Sequence, residues 1–199
     1  MDKLGYDILE LTDGFVRGKI DLEDMSELYH DITDEIENTD LEKALVGLSE
    51  DGQEDVPQIR TSRIHWLKKC KGVKRLLRNL VVEINDEFFH QDISRKPPDY
   101  QYTLYSDPYD HYDWHQDQYD GEWEPDFQRT LSLSLCLTPA DFYEGAELFL
   151  RDGDPLNVRV FKLAFGEFVI FPATVEHRVN ALRRGERASL VIWYGKEPD

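Results

Sequence analysis

From residue 100 onward the hydrophobic period of this chain is two, and that feature excludes most folds. The stretch "RTLSLSLCLT" alternates strictly: Leu131, Leu133, Leu135 and Leu137 face one way, and Ser132, Ser134 and Cys136 the other. Successive side chains of a strand point to opposite faces, so one flank is built for a core and the other for a more polar setting. "YQYTLY", "AELFLRD", "VRVFKLAF", "EFVIFPA", "VEHRVNAL" and "RASLVIWYG" share the rhythm. Turn signals at Gly145, "DGDP", Gly166 and "RRGE" separate several of them. Many short strands in succession predict a β-sandwich or jelly roll.

Upstream the period is near 3.6. "DLEDMSELYHDITDEI" sets Leu22, Met25, Leu28, Tyr29 and Ile32 on one helical stripe, with Asp21 as N-cap. "KGVKRLLRNLVVEINDEFF" does the same with Val73, Leu76, Leu77, Leu80, Val81, Ile84 and Phe88. Between them, "LSEDGQEDVPQ" reads as a loop and "TSRIHWL" as a short strand. The expectation is an α+β fold, with N-terminal helices packed on one sheet of a β core. A single domain of 199 residues is enough to close such a core. Its parts would be an acidic helical segment (1–55), a strand and support helix (56–99) and the β core (100–199).

Charge and composition narrow the partners. A net charge of -18 repels a phosphate backbone, so nucleic acid is not an expected partner, whereas a basic protein target is compatible. No apolar run approaches the ~20 residues a membrane span needs. "MDKLGYDILELTDGF" lacks the basic-then-apolar pattern of a secretory signal, so a cytoplasmic location is expected. Cys70 and Cys136 are too few for a disulfide framework or a cysteine zinc site and read as free thiols.

The stretch "YDHYDWHQDQYD" carries the chemistry. His115 and Asp117, at i and i+2, share a face if the segment is a strand. Two ligands do not hold an ion firmly, and His177 in "FPATVEHRVNA" is the candidate third. Two imidazoles and a carboxylate form the facial triad of non-haem Fe(II) oxygenases, which leaves three coordination positions open. The competing reading is an ordinary acidic surface strand. His111 is a weaker alternative ligand, while His30, His65 and His90 read as surface or helix-end residues. If the turn centres near Arg183, His177 pairs with Ser189 and Val179 with Arg187, and all three polar side chains point inward. A short 2-oxo diacid would then meet the metal at one end and the Arg187 fork at the other, with Ser189 as an added donor. A one-residue slip would turn Arg187 outward.

These residues resemble the Fe(II)/2-oxoglutarate-dependent dioxygenases, and within them the prolyl 4-hydroxylase-like branch with its PKHD-type relatives. The matching stretches are "QYTLYSDPYDHYDWHQD", "RTLSLSLCLTPADFYEGAELFL" and "FGEFVIFPATVEHRVNALRRGERASLVIWYG", with "IRTSRIHWL" as a lead-in. The resemblance implies a double-stranded β-helix, the jelly-roll or cupin-like fold. It implies His115, Asp117 and His177 as iron ligands, Arg187 as the anchor of the distal 2-oxoglutarate carboxylate, and dioxygen as co-substrate. Tyr105, with Tyr102 as runner-up, matches a tyrosine that contacts the cosubstrate in some relatives.

The implied reaction is hydroxylation of a C–H bond with release of succinate and CO2, first of all at a prolyl residue in a protein or peptide. A free amino acid or other small molecule is the alternative, and a jelly-roll binding module with a degenerate site is the non-enzyme one. Halogenating relatives put a small residue at the Asp117 position, and alkyl-repair relatives carry a second arginine where this chain has Trp193. Two departures stand out. The loop before the H-x-D reads "SDPYD", without the common glycine. The tyrosine that some relatives carry near Leu135 is missing, so the anchor rests on Arg187 and a substitute. The stretch from Pro108 to Phe127, rich in Tyr, Trp and Asp, is a candidate substrate rim.

Overall fold

The computed structural model describes residues 3–37, 39–49, 52–93, 100–118, 127–151 and 156–197. In chain order, a hairpin of β1 (Tyr6–Leu11) and β2 (Val16–Ile20) leads into helix α1 (Leu22–Ile36). Short strands follow: β3 (Glu42–Lys43), β4 (Val46–Ser49), β5 (Gly52–Glu54), β6 (Arg60–Thr61) and β7 (Arg63–Trp66). Helix α2 (Lys71–Ile84) ends in a π-turn, Asn85–Phe89. Then come β8 (Tyr100–Tyr105), β9 (His111–His115), β10 (Gln128–Cys136), β11 (Tyr143–Gly145), β12 (Leu148–Arg151) and β13 (Val158–Phe161). The last four are β14 (Glu167–Pro172), β15 (Glu176–Val179), β16 (Leu182–Gly185) and β17 (Arg187–Lys196).

The strands form an eight-stranded sheet, β1-β2-β14-β10-β17-β8-β7-β3, and a five-stranded sheet, β13-β12-β15-β9-β6. Two small pairs, β11-β16 and β4-β5, complete the list for the described residues. The alternation of β10 now has a meaning on each face. Leu131, Leu133, Leu135 and Leu137 pack with both helices in one core. Cys136 of β10 joins Tyr105, Phe171, Leu148, Leu150 and Val179 in a second core between the two sheets. This is a double-stranded β-helix with helices on the outer face of its larger sheet. Each of those leucines is fully removed from water, worth about 2 kcal/mol of burial.

Helix α2 buries every apolar position expected of it up to Ile84. Helix α1 buries only Met25, Leu28 and Ile32. Leu22 is 70% exposed and Tyr29 lies at the flank, edge-on to Phe165 at 5.3 Å, so the stripe is narrower than its periodicity suggested. Asp21 occupies the N-cap position but its side chain makes no cap bond; its carbonyl accepts Met25 N–H at 2.8 Å. The start of α2 is capped from outside. The Glu35 carboxylate of α1 accepts the backbone N–H groups of Lys68 (2.6 Å), Lys69 (2.8 Å) and Cys70 (3.1 Å), and the Cys70 thiol at 3.0 Å. Cys70 and Cys136 are both free thiols, as expected.

Three expectations need correction. The 1–55 segment is not only helical: β1 and β2 extend the larger sheet, with β2 paired to β14. "YDILELTDGFVRGKI" carried the signal, two extended runs around an Asp-Gly turn. The stretch assigned to a loop instead holds the end of β4 and all of β5, which pair with each other, Ser49 opposite Gly52. Last, β15 and β17 are not partners. β15 pairs with β12 and β9 in the smaller sheet, and β17 with β10 and β8 in the larger. The chain changes sheets through β16 and Gly185, whose φ of 78° favours glycine; a Cβ there would stand 1.9 Å from the Phe142 carbonyl oxygen. Among the described residues, no helix is long and apolar enough to cross a membrane.

Candidate metal centre

The site lies between the sheets, because β9 and β15 are neighbours. His177 is the cross-strand partner of His115 itself, and their ring centroids are 4.1 Å apart. Asp117 follows β9, fixed by its own N–H and that of Gln118, both donated to Ala173 carbonyl at 3.0 Å. One donor atom from each of His115, Asp117 and His177 lies within 4.8 Å of the others. His177 Nε2 is 3.3 Å from Asp117 Oδ2, and His115 Nε2 is 3.8 Å from Oδ1.

Both imidazoles are oriented by their own strands. His115 Nδ1 donates to the Asp113 carbonyl at 2.7 Å, and His177 Nδ1 to that of Val175 at 3.0 Å. A carbonyl only accepts, so each Nδ1 carries the proton and each Nε2 offers its lone pair to the cluster. Burial and the adjacent His177 push His115 down to about 3, which keeps it neutral at physiological pH. Burial alone would raise the Asp117 pKa, yet His177, His115, Arg129 and the Ser132 hydroxyl outweigh it and lower the pKa. Ser132 donates to Asp117 Oδ2 at 2.6 Å, so the polar face of β10 steers the carboxylate. Neutral nitrogens aimed at one buried carboxylate make a donor set that fits a divalent transition metal.

The same cavity contains Arg187, which is 1% exposed. Its Nη2 is buried without a hydrogen-bond partner among the described residues, as is Nε1 of Trp193 on the same wall. An unsatisfied buried donor costs about 1–3 kcal/mol, so two of them around one cavity point to acceptor oxygens. Arg187 Nη1 lies 3.5 Å from Ser189 Oγ, and Tyr105 is the cross-strand partner of Arg187. Nearby, the Tyr143 phenol donates to the Leu163 carbonyl at 2.6 Å, and burial raises its pKa while Arg187 pulls it back. Its one proton is committed to that carbonyl and it does not line the cavity, so Tyr143 is not the substitute expected near Leu135.

The structure brings His115, Asp117, His177, Arg187, Ser189 and Tyr105 to one cavity. It does not bring Tyr102, which faces the opposite side and packs against the helix-side core. Tyr102 and Tyr105 differ by an odd number, so only one can face inward. His111 is also turned away, with Nδ1 at 2.9 Å from Tyr109 carbonyl and Nε2 at 3.3 Å from that of Gln58. Although the β15–β17 pairing was wrong, Arg187 and Ser189 still face the ligands, because the two sheets face each other across the cavity. Ser132, Tyr112, Arg60, Gln101, Thr103 and Trp193 were not assigned to the site from sequence. Tyr112 stacks on His115 at 3.6 Å and 17°. Trp114 points outward between Arg151 (4.4 Å) and Arg178 (5.0 Å). Of the expected rim, residues 119–126 lie outside the described residues.

Comparison with known proteins agrees with this geometry. Residues 100–195 match the family model described as the 2OG-Fe(II) oxygenase superfamily. A PKHD-type hydroxylase of Prochlorococcus marinus is 43% identical over 63 residues, 32% of this chain and 28% of that protein. One from Pseudomonas putida is 39% identical over 70 residues, 35% and 30% of the two chains. The matched stretch thus spans under a third of these relatives. A solved prolyl-4-hydroxylase of Pseudomonas putida superposes with a TM-score of 0.69 at 21% identity, covering 92% of both chains. A Trichoplax adhaerens prolyl hydroxylase, solved with a hypoxia inducible factor oxygen degradation domain peptide fragment, gives 0.72 at 16% identity, covering 93% of this chain and 84% of that one. These two establish a shared fold.

Proposed function

We propose that the chain, whose residues 100–195 match the 2OG-Fe(II) oxygenase superfamily, is an Fe(II)- and 2-oxoglutarate-dependent hydroxylase. Its proposed substrate is a prolyl residue in a protein or peptide, and its products include succinate and CO2. The observation that carries the reading is the cavity where two Nε2 lone pairs, one carboxylate and an unsatisfied guanidinium converge.

His115, Asp117 and His177 would hold the ferrous ion on one face, and Arg187 would grip the distal carboxylate of 2-oxoglutarate, with Ser189 beside the fork. When bound, the ion with 2-oxoglutarate and dioxygen supplies the oxidising power for insertion of oxygen into a C–H bond. The chain contributes position and exclusion of water. Nδ1–carbonyl bonds fix the ligand rings, Ser132 fixes the carboxylate, and Phe171, Leu148 and Val179 line the cavity with apolar surface. The Tyr105 phenol, which burial holds in its protonated form, is a donor beside Arg187. The peptide preference draws on the peptide-bound prolyl hydroxylase among the structural neighbours.

The direct test is mass spectrometry of proline-containing peptides incubated with Fe(II), with and without 2-oxoglutarate. A mass gain of one oxygen atom on proline, with matching succinate, is expected only in the complete mixture. Succinate without any oxidised peptide across a broad library would reject the peptide substrate. Ser132→Ala should weaken metal binding by about 10- to 100-fold without loss of fold, read by titration with Mn(II). Arg187→Met should raise the KM for 2-oxoglutarate by about 100-fold, since a charge-assisted pair with a carboxylate is worth roughly 2–3 kcal/mol. An unchanged KM would move the anchor elsewhere.

A further inference from the structure

A second buried guanidinium in the same cavity belongs neither to the metal ligands nor to the 2-oxoglutarate anchor. Arg60 of β6 is 7% exposed and lines the wall with Gln101, Thr103, Tyr105, Tyr112 and His115. Its Nε donates to Ser62 Oγ at 3.0 Å and its Nη2 to Gln101 Oε1 at 2.8 Å, and Thr103 Oγ1 donates to the same Gln101 oxygen at 3.2 Å. The guanidinium carbon lies 4.5 Å from the centre of the Tyr112 ring, which itself stacks on His115. The head group is therefore held from three sides, and both acceptors are neutral. Among the described residues, no carboxylate lies within ion-pair distance of Arg60.

The surroundings make this unusual. A second cavity of about 250 Å3 opens on the other side of Arg60. Its other charged groups are already engaged: Lys43 with Asp55 at 3.0 Å, and Arg63 with Asp107 at 3.2 Å. Asp110 accepts the N–H groups of Ser106 (2.9 Å) and Asp107 (3.0 Å). In a chain of net charge -18, a buried cation left facing neutral oxygens is costly unless a ligand completes it. Burial raises the Tyr105 pKa, and Arg60 and Arg187 pull it back, so both cations act on this phenol. With the ferrous ion and both guanidiniums as cations and Asp117 as the anionic ligand, the two carboxylates of 2-oxoglutarate leave one positive charge over.

We propose that Arg60, oriented by Ser62 and Gln101, is a substrate subsite for a carboxylate, distinct from the Arg187 anchor. The inference rests on the hydroxylase reading above and narrows its substrate to one that presents a carboxylate beside the oxidised C–H bond. That carboxylate is either the α-carboxylate of a free or chain-terminal amino acid or the side chain of an acidic neighbour. With Nε on Ser62 and one Nη2 hydrogen on Gln101, the three other N–H groups of the guanidinium can donate to its oxygens.

The test pairs acid with amide. Protein loaded with Mn(II) and 2-oxoglutarate, which removes turnover from the measurement, is titrated calorimetrically with two probe pairs. One is L-proline against L-prolinamide, and the other a blocked Gly-Glu-Pro-Gly peptide against its Gln counterpart. The acid of at least one pair should bind about tenfold more tightly than its amide, and the pair that discriminates identifies the source of the carboxylate. Arg60→Gln should erase the preference, and Arg60→Lys should restore part of it. Ser62→Asp, which leaves Arg60 in place but gives it a carboxylate, should erase it too. In all three variants the KM for 2-oxoglutarate should stay within about twofold of the parent. Equal affinity for acid and amide in both pairs, or equal losses for both in Arg60→Gln, would overturn the subsite. Acid-selective, Arg60-dependent binding with no oxidation of any probe under Fe(II) and oxygen would instead retain the subsite and reject the hydroxylase reading.

Discussion

His177→Ala should lower succinate formation by about a thousandfold or more, since the metal supplies several kcal/mol that no side chain of the cavity replaces. The physical reason is specific. His177 Nε2 and Asp117 Oδ2, 3.3 Å apart, belong to different strands, and without the imidazole only β9 and the residues just after it supply ligands. The fold should survive, because His177 sits at the boundary of the inter-sheet core and loses mainly its edge contact with Phe171 at 4.9 Å. Differential scanning fluorimetry separates the two effects. Saturating Mn(II) at about 100 times its Kd should stabilise the parent by about 2.7 kcal/mol, and that gain should vanish in the variant. Turnover that persists, or a metal-dependent gain that persists, would remove His177 from the ligand set.

Glu35→Ala should be strongly destabilising although Glu35 lies outside the cavity. The carboxylate is the common acceptor for three backbone N–H groups and the Cys70 thiol at the start of α2, and its side chain is only 5% exposed. Burial would raise its pKa, but the bonds from Lys68, Cys70, Lys69 and His65 prevail and hold it at about 2 against an ordinary 4.5. That difference corresponds to about 3 kcal/mol of folding stability. A depressed carboxyl pKa stabilises the fold in full above the unfolded value. The contribution therefore fades as pH falls from about 4.5 towards about 2. For a chain of this size the alanine variant should melt about 6–12 °C lower at pH 7, with a smaller gap at pH 2.5. A gap that does not shrink in acid would mean that lost packing, not charge, is responsible.

Much of the site could be read before the fold was known, and the reasons are local. His115 and Asp117 share a face by parity alone, and the strict alternation of β10 separated the serines from the leucines before Ser132 was found on Asp117. Strand pairing was harder. Two adjacent extended runs joined by a glycine turn look like a hairpin, yet β15 and β17 belong to opposite sheets because Gly185 lets the chain cross between them. Tyr102 and Tyr105 were indistinguishable by composition, and only the pairing of Tyr105 with Arg187 assigned the inner face. Arg60 left the weakest trace, since it lies on a two-residue strand far from the H-x-D, and its proximity arises wholly from β6 pairing with β9.

The self-locking imidazoles have a consequence for how such a protein can change. His115 and His177 each take their orientation from a carbonyl two residues earlier in the chain, so the ion-holding half depends little on what lines the opposite wall. The short edge strand bearing Arg60 is joined to it by only two residue pairs. Rewriting that strand should therefore change what the cavity accepts while sparing the metal-binding side chains, which makes the edge the natural place for selectivity to drift or to be engineered.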